Sequence, residues 1–157
     1  MFDFINIAPL KVEACIIAML CGFAIGFERQ WLGKPAGIRT SILVCLGAYS
    51  FIAVASYLQP GAGAVRVVGQ MVTGVGFLGA GMMLSKEGSV VGVTSAATIW
   101  LMAAIGTLIG FEYYNAAFFL TGMTLFVLVG ISILEKSFKK LRRGVHKLTF
   151  NDQDKEG

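Results

Sequence analysis

Ala116-Ala117-Phe118-Phe119-Leu120-Thr121-Gly122-Met123-Thr124-Leu125-Phe126-Val127-Leu128-Val129-Gly130-Ile131-Ser132-Ile133-Leu134 runs for nineteen residues without a charge. A helix of this length covers the roughly 30 Å of hydrocarbon in a bilayer. Four further blocks read the same way, at residues 10–27, 41–58, 65–84 and 90–109, and most charges fall in the gaps between them. Glu13 lies one turn inside the first block, within reach of the headgroups. The pattern predicts an all-α integral membrane protein, a compact bundle of about five transmembrane helices over residues 1–134.

Composition excludes a soluble class. Of 157 residues 56% are apolar and only 14% charged, against roughly 25% charged in an average soluble domain. The chain opens Met1-Phe2-Asp3 and continues into Glu13 without the basic start of a signal peptide, so the first block reads as a retained span. With the N-terminus outside, the inner segments hold Arg29, Lys34, Arg39, Lys86 and the seven basic residues of the tail, leaving Lys11 and Arg66 outside. Eleven against two sets the C-terminus in the cytoplasm by the positive-inside rule. The net charge of +4 is then what a cytoplasmic membrane face requires. No nucleic-acid motif accompanies it, so neither DNA nor RNA is expected as a partner.

Cys15, Cys21 and Cys45 fall inside spans, without CxxC spacing and with the sole histidine, His146, far along the chain. They read as apolar filler rather than zinc ligands or a nucleophile. The tail, residues 135–157, is too short for a core of its own. It reads either as a basic stop signal or as an amphipathic surface helix, with Phe138, Leu141, Val145 and Leu148 on one face.

Polar chemistry concentrates in the inner loop from Glu28 to Thr40. Gly33, Pro35 and Gly37 stop a helix there, and Thr40 or Ser41 is expected to cap the second span. Glu28 closes the first span at the negative end of the helix dipole and needs a cation, with Arg29 and Arg39 as candidates. Two readings compete: an ion pair that fixes the turn while Trp31 anchors at the headgroups, or charges that face a water-filled cavity as a functional site.

The third block carries five glycines, and Gly74, Gly76 and Gly79 spell GxGxxG. Inside a membrane segment this is no nucleotide fingerprint, which needs a strand before it and a helix after it. Each glycine costs a helix about 1 kcal/mol, and close helix packing is the expected compensation. It would run through Gly22 and Gly26, then Gly74, Gly76, Gly79 and Gly81, then Gly106 and Gly110. The alternative is an unwound stretch from Gly74 to Gly81 offering backbone groups to a ligand. In the fourth block Thr94, Ser95 and Thr98 offer hydroxyls to a neighbouring helix or to their own backbone, or, with Gln70, form a polar lining.

Four stretches, Gly26-Phe27-Glu28-Arg29-Gln30, Gly33-Lys34-Pro35-Ala36-Gly37-Ile38-Arg39-Thr40, Gly74-Val75-Gly76-Phe77-Leu78-Gly79-Ala80-Gly81 and Gly92-Val93-Thr94-Ser95-Ala96-Ala97-Thr98-Ile99-Trp100, resemble the MgtC/SapB family of bacterial inner-membrane proteins in order and spacing. Val93 and Ser95 depart from it, standing where that family often has Leu and Thr. The resemblance implies a multi-pass inner-membrane protein linked to growth under magnesium limitation, in some members to virulence. It also implies a regulatory role, with the ATP synthase a partner in some members, and a short form without the C-terminal soluble domain of the virulence-linked ones. The runner-up is a small cation transporter acting as a homo-oligomer. One chain is poor in carboxylates for a magnesium path: Glu13, Glu28, Glu112 and Glu135 are spread over both faces. No metal site can be specified, no cofactor is expected, and no catalytic constellation stands out. The lipid bilayer is the one partner that composition itself demands.

Overall fold

The computed structural model describes residues 7–86 and 89–137. Five helices carry the fold: α1 (Val12–Trp31), α2 (Ile38–Leu58), α3 (Ala62–Met82), α4 (Val93–Gly110) and α5 (Tyr114–Ser137). Four of them, α2 to α5, are long and apolar enough to cross a membrane. The twenty residues of α1 are also long enough, but carry Glu13 near one end and Glu28 and Arg29 near the other. The result is the all-α membrane bundle expected from the hydropathy blocks.

Three boundaries differ from the sequence reading, each for a local reason. Glu28, Arg29, Gln30 and Trp31 belong to the last turns of α1, because none of them breaks a helix. The break comes at Gly33, whose φ of +62° suits a residue without Cβ. The Ser41 hydroxyl does not cap α2. It lies inside the helix and donates to the carbonyls of Ala36 and Gly37 at 3.2 and 3.0 Å, leaving Gly37 as an N-cap without a side-chain partner. The third correction concerns the ends of the third and fourth blocks. Leu84–Lys86 (β1) and Ser89–Val91 (β2) form an antiparallel hairpin, Leu84 opposite Val91, where Val90 and Val91 favour extended backbone. The surface-helix reading of the tail lies outside the described residues.

α4 is the centre, packed on α1, α2, α3 and α5, while α2 also packs on α1 and α3. Ile99, Met102, Ile105 and Ile109 of α4 are buried together with Ile25 of α1 and Ile52 of α2. Between membrane helices the driving force is packing rather than escape from water, so close backbone approach matters. A methyl added at Gly22 would fall 2.8 Å from the Ile42 Cα, and one at Gly26 would fall 2.6 Å from the Ile38 Cα. On α4, Gly106 lies against the Cys45 carbonyl and the Ala48 methyl, and Gly110 against Ile52. These contacts close α1 onto α2 and α2 onto α4.

The third-block glycines behave differently. A Cβ added at Gly79 would make ordinary contact with Ala96 at 3.6 Å, whereas one added at Gly74, Gly76 or Gly81 would meet nothing of the described residues outside its own helix turn within 4 Å. Tight packing through those three is therefore absent among the described residues. Unwinding is absent too, since α3 is continuous through Gly74 to Gly81. The reason is position: only 11% of α3's apolar stretch is covered, against 44% for α4.

Candidate functional site

At the C-terminal end of α1 the helix dipole presents its negative pole, which favours Arg29 and disfavours Glu28. The backbone there is closed by its own turn, with the amides of Leu32, Gly33 and Lys34 donating to the carbonyls of Glu28, Gln30 and Arg29. Gln30 Oε1 accepts from the Ile38 amide at 3.3 Å, which ties the end of α1 to the start of α2.

Arg29 turns inward and is 4% exposed. Its Nη2 donates to Ser95 Oγ in the first turn of α4 at 2.8 Å. Its Nε has no hydrogen-bond partner. Glu28, one position earlier, is also enclosed, its side chain 10% exposed. The nearest approach between the two is 3.9 Å, Nη1 to Oε2, too long for a hydrogen bond. Both Glu28 carboxylate oxygens are buried without a hydrogen-bond donor among the described residues. A buried ion pair adds stability only when its remaining lone pairs and protons are satisfied. Among the described residues those of Glu28 are not.

The opposite end of the bundle is held by a different group. Lys11 Nζ donates to Glu112 Oε1 at 2.7 Å, and the Lys11 amide donates to the Tyr49 hydroxyl at 2.7 Å. That joins the start of α1 to α2 and to the α4–α5 turn. The hydrogen bond and the charge of Glu112 raise the Lys11 pKa above its ordinary 10.5. Both side chains are more than half exposed, so the pair ties chain ends together without forming a pocket.

Of the residues singled out from sequence, Glu28 and Arg29 come together at the α1 end. Arg39 is exposed and forms no ion pair among the described residues. Thr98 is buried and donates to the Thr94 carbonyl at 2.7 Å, while Thr94 itself is exposed. Gln70 lies exposed midway along α3, so it does not join the threonines in a polar lining. Ser95 makes the contact to Arg29 that sequence reasoning did not assign. The available signal was its spacing: Ser95, Thr98, Ile99, Met102, Ile105, Gly106 and Ile109 mark the buried face of α4. The link from Lys11 to Tyr49 and Glu112 had no sequence signal. Among the described residues no three of His, Cys, Asp and Glu lie together as metal ligands.

Stacked apolar helices around a buried charged pair define a multi-pass membrane protein of bacterial type. The model of the MgtC family matches residues 15–137, and the chain belongs to that family. It is 42% identical over 129 residues to the "Putative magnesium transporter YhiD" of Escherichia coli K12, covering 77% of this chain and 60% of that protein. It is 37% identical over 142 residues to Protein MgtC of Brucella abortus (87% and 59%). Protein MgtC of Salmonella typhimurium is 34% identical over 149 residues (88% and 63%). The chain thus spans about three fifths of the length of these relatives. No solved structure matches it.

Proposed function

We propose that this chain is a non-enzymatic membrane component of magnesium homeostasis, lying with its N-terminus outside and its C-terminus in the cytoplasm. In this reading it modulates membrane ion handling, with the ATP synthase a candidate partner, through the Glu28–Arg29 pair beside Ser95. One observation carries the site: both oxygens of Glu28 are buried with no hydrogen-bond donor among the described residues. A buried carboxylate without a donor is expensive, and ionisable residues enclosed in a membrane bundle typically mark a functional position. The magnesium link is supported by the name of the E. coli relative, and the orientation by the placement of basic residues.

Modulation is favoured over conduction within one chain, because a divalent cation wants several hard oxygen ligands and the carboxylate here sits beside a guanidinium that repels cations. Transport is the second reading, favoured by the relative's name. Complementation of growth under low magnesium tests the site. If the charge acts, Glu28→Gln should accumulate and fold normally yet lose the growth phenotype. If Glu28 only positions Arg29, Gln should retain most of the phenotype and Ala should lower the protein level. A fully active Glu28→Ala strain at normal abundance overturns both. Magnesium flux into liposomes that disappears in Glu28→Gln would move the assignment to transport.

A further inference from the structure

Gln70 is the ninth of the 21 residues of α3, about 12 Å along the helix from its start at 1.5 Å per residue. It therefore lies close to the middle of the hydrocarbon, on a side of α3 that no other helix covers among the described residues. Its amide has no hydrogen-bond partner among the described residues. In water an exposed glutamine needs no explanation. In hydrocarbon its two donors and its acceptor have no solvent to satisfy them, and such groups are found facing other protein.

We infer that the uncovered face of α3 is the contact surface for a second copy of this chain, the two Gln70 amides bonding to each other across a two-fold axis along the membrane normal. Self-pairing is what the chemistry of the group offers. A primary amide carries donor and acceptor at one depth, and two copies inserted in the same direction bring identical residues face to face. A lipid chain has neither donor nor acceptor, so it leaves the amide as it is.

The neighbouring surface admits such an approach. Gly69, Thr73, Gly76 and Ala80 follow one another at steps of four, three and four about a quarter-turn to one side of Gln70, whose own line carries Gly74 and the 82% exposed Phe77. A Cβ built at Gly69 or Gly76 meets nothing within 4 Å, so that strip is open to a partner backbone. The Thr73 hydroxyl is turned back to the Gly69 carbonyl at 3.4 Å and adds little bulk. Arg66, exposed one turn before Gln70, lies at the start of α3, where its long side chain reaches the headgroup water. Two such arginines at one end would be screened there and would not enter the contact.

Disulfide trapping in native membranes tests this, using full-length chain with Cys15, Cys21 and Cys45 replaced by Ala. Thr73→Cys should give a band of twice the chain mass on oxidation. Phe126→Cys should not; it is 71% exposed on α5 at a similar depth. Adding Gln70→Leu should reduce the Thr73→Cys dimer several-fold while leaving thermal stability in detergent unchanged, because the exposed amide makes no hydrogen bond among the described residues. No dimer from Thr73→Cys, an equal dimer from Phe126→Cys, or trapping only with a protein of another mass would overturn the second-copy assignment. A dimer insensitive to Gln70→Leu would overturn the amide pairing.

Discussion

Gly26→Ala and Gly74→Ala add the same methyl to two membrane helices and should have opposite effects. At Gly26 the new Cβ would fall 2.6 Å from the Ile38 Cα and 2.8 Å from the Cβ and Oγ of Ser41. Backbone cannot rotate away as a flexible side chain can, so α1 and α2 must separate. Overpacking of this kind costs about 2–3 kcal/mol. Against it stands about 1 kcal/mol gained by replacing glycine within a helix, leaving a net loss of about 1–2 kcal/mol. For a chain of this size that corresponds to about 2–8 °C in melting temperature. At Gly74 the new Cβ would meet nothing of the described residues outside its own helix turn within 4 Å, so only the gain remains, and the variant should melt at or slightly above wild type. The assay is thermal loss of the monodisperse peak in one fixed detergent, with expression level as a second readout. A stable Gly26→Ala together with a destabilised Gly74→Ala would refute the packing account and return the tight contact to α3.

Ser95→Ala removes the one partner of Arg29 Nη2 and leaves a buried guanidinium donor unpaired, so it should cost about 1–3 kcal/mol. Ser95→Thr keeps the hydroxyl and should be tolerated; equal melting of Ser95→Ala and wild type would show that the bond is not needed. The Lys11–Glu112 pair has a defined pH signature, since its effect raises the folded-state pKa of Lys11. A raised lysine contributes its stability fully below its unfolded pKa and loses it as pH rises through the folded one. Wild type should therefore exceed Glu112→Gln by a constant margin from pH 7 to about 10, and the two melting curves should converge above that; convergence already near pH 8 would contradict the pairing.

How far the sequence could be read depended on whether a feature is local or long-range. Hydropathy is local, so the helices were legible from runs such as residues 116–134, and their ends were misread where a helix continues through charged residues, as at Glu28 to Trp31, where Ser41 lies inside α2 instead of capping it, and where apolar residues pair as strands, as at Leu84 with Val91. Small-residue spacing is local as well, but it reports the capacity for close approach and not the presence of a neighbour. Gly22, Gly26, Gly106 and Gly110 have close neighbours on another helix; Gly74, Gly76 and Gly81 have none among the described residues. Of the polar residues, Glu28 and Arg29 were legible as a pair because they adjoin. Ser95, 66 positions from Arg29, was legible only as one hydroxyl among three, since helix packing alone decides which of them faces the charge.

Two adjacent residues at the end of α1 thus have opposite physical status. Arg29 has a protein partner on α4, and with Lys11 bonded to Glu112 at the other end, α1 is tied by its charged groups near both ends of α4. Glu28 has no hydrogen-bond donor among the described residues, and the dipole of its own helix works against it. Neutralising the carboxylate as in Glu28→Gln relieves its desolvation, whereas truncating it also removes the countercharge 3.9 Å from the buried guanidinium. Loss of stability should therefore follow changes at Arg29 and Ser95, and loss of function without loss of protein should follow Glu28→Gln. Since the two residues are neighbours in sequence and share one environment, only that separation of abundance from phenotype distinguishes a working carboxylate from a structural one.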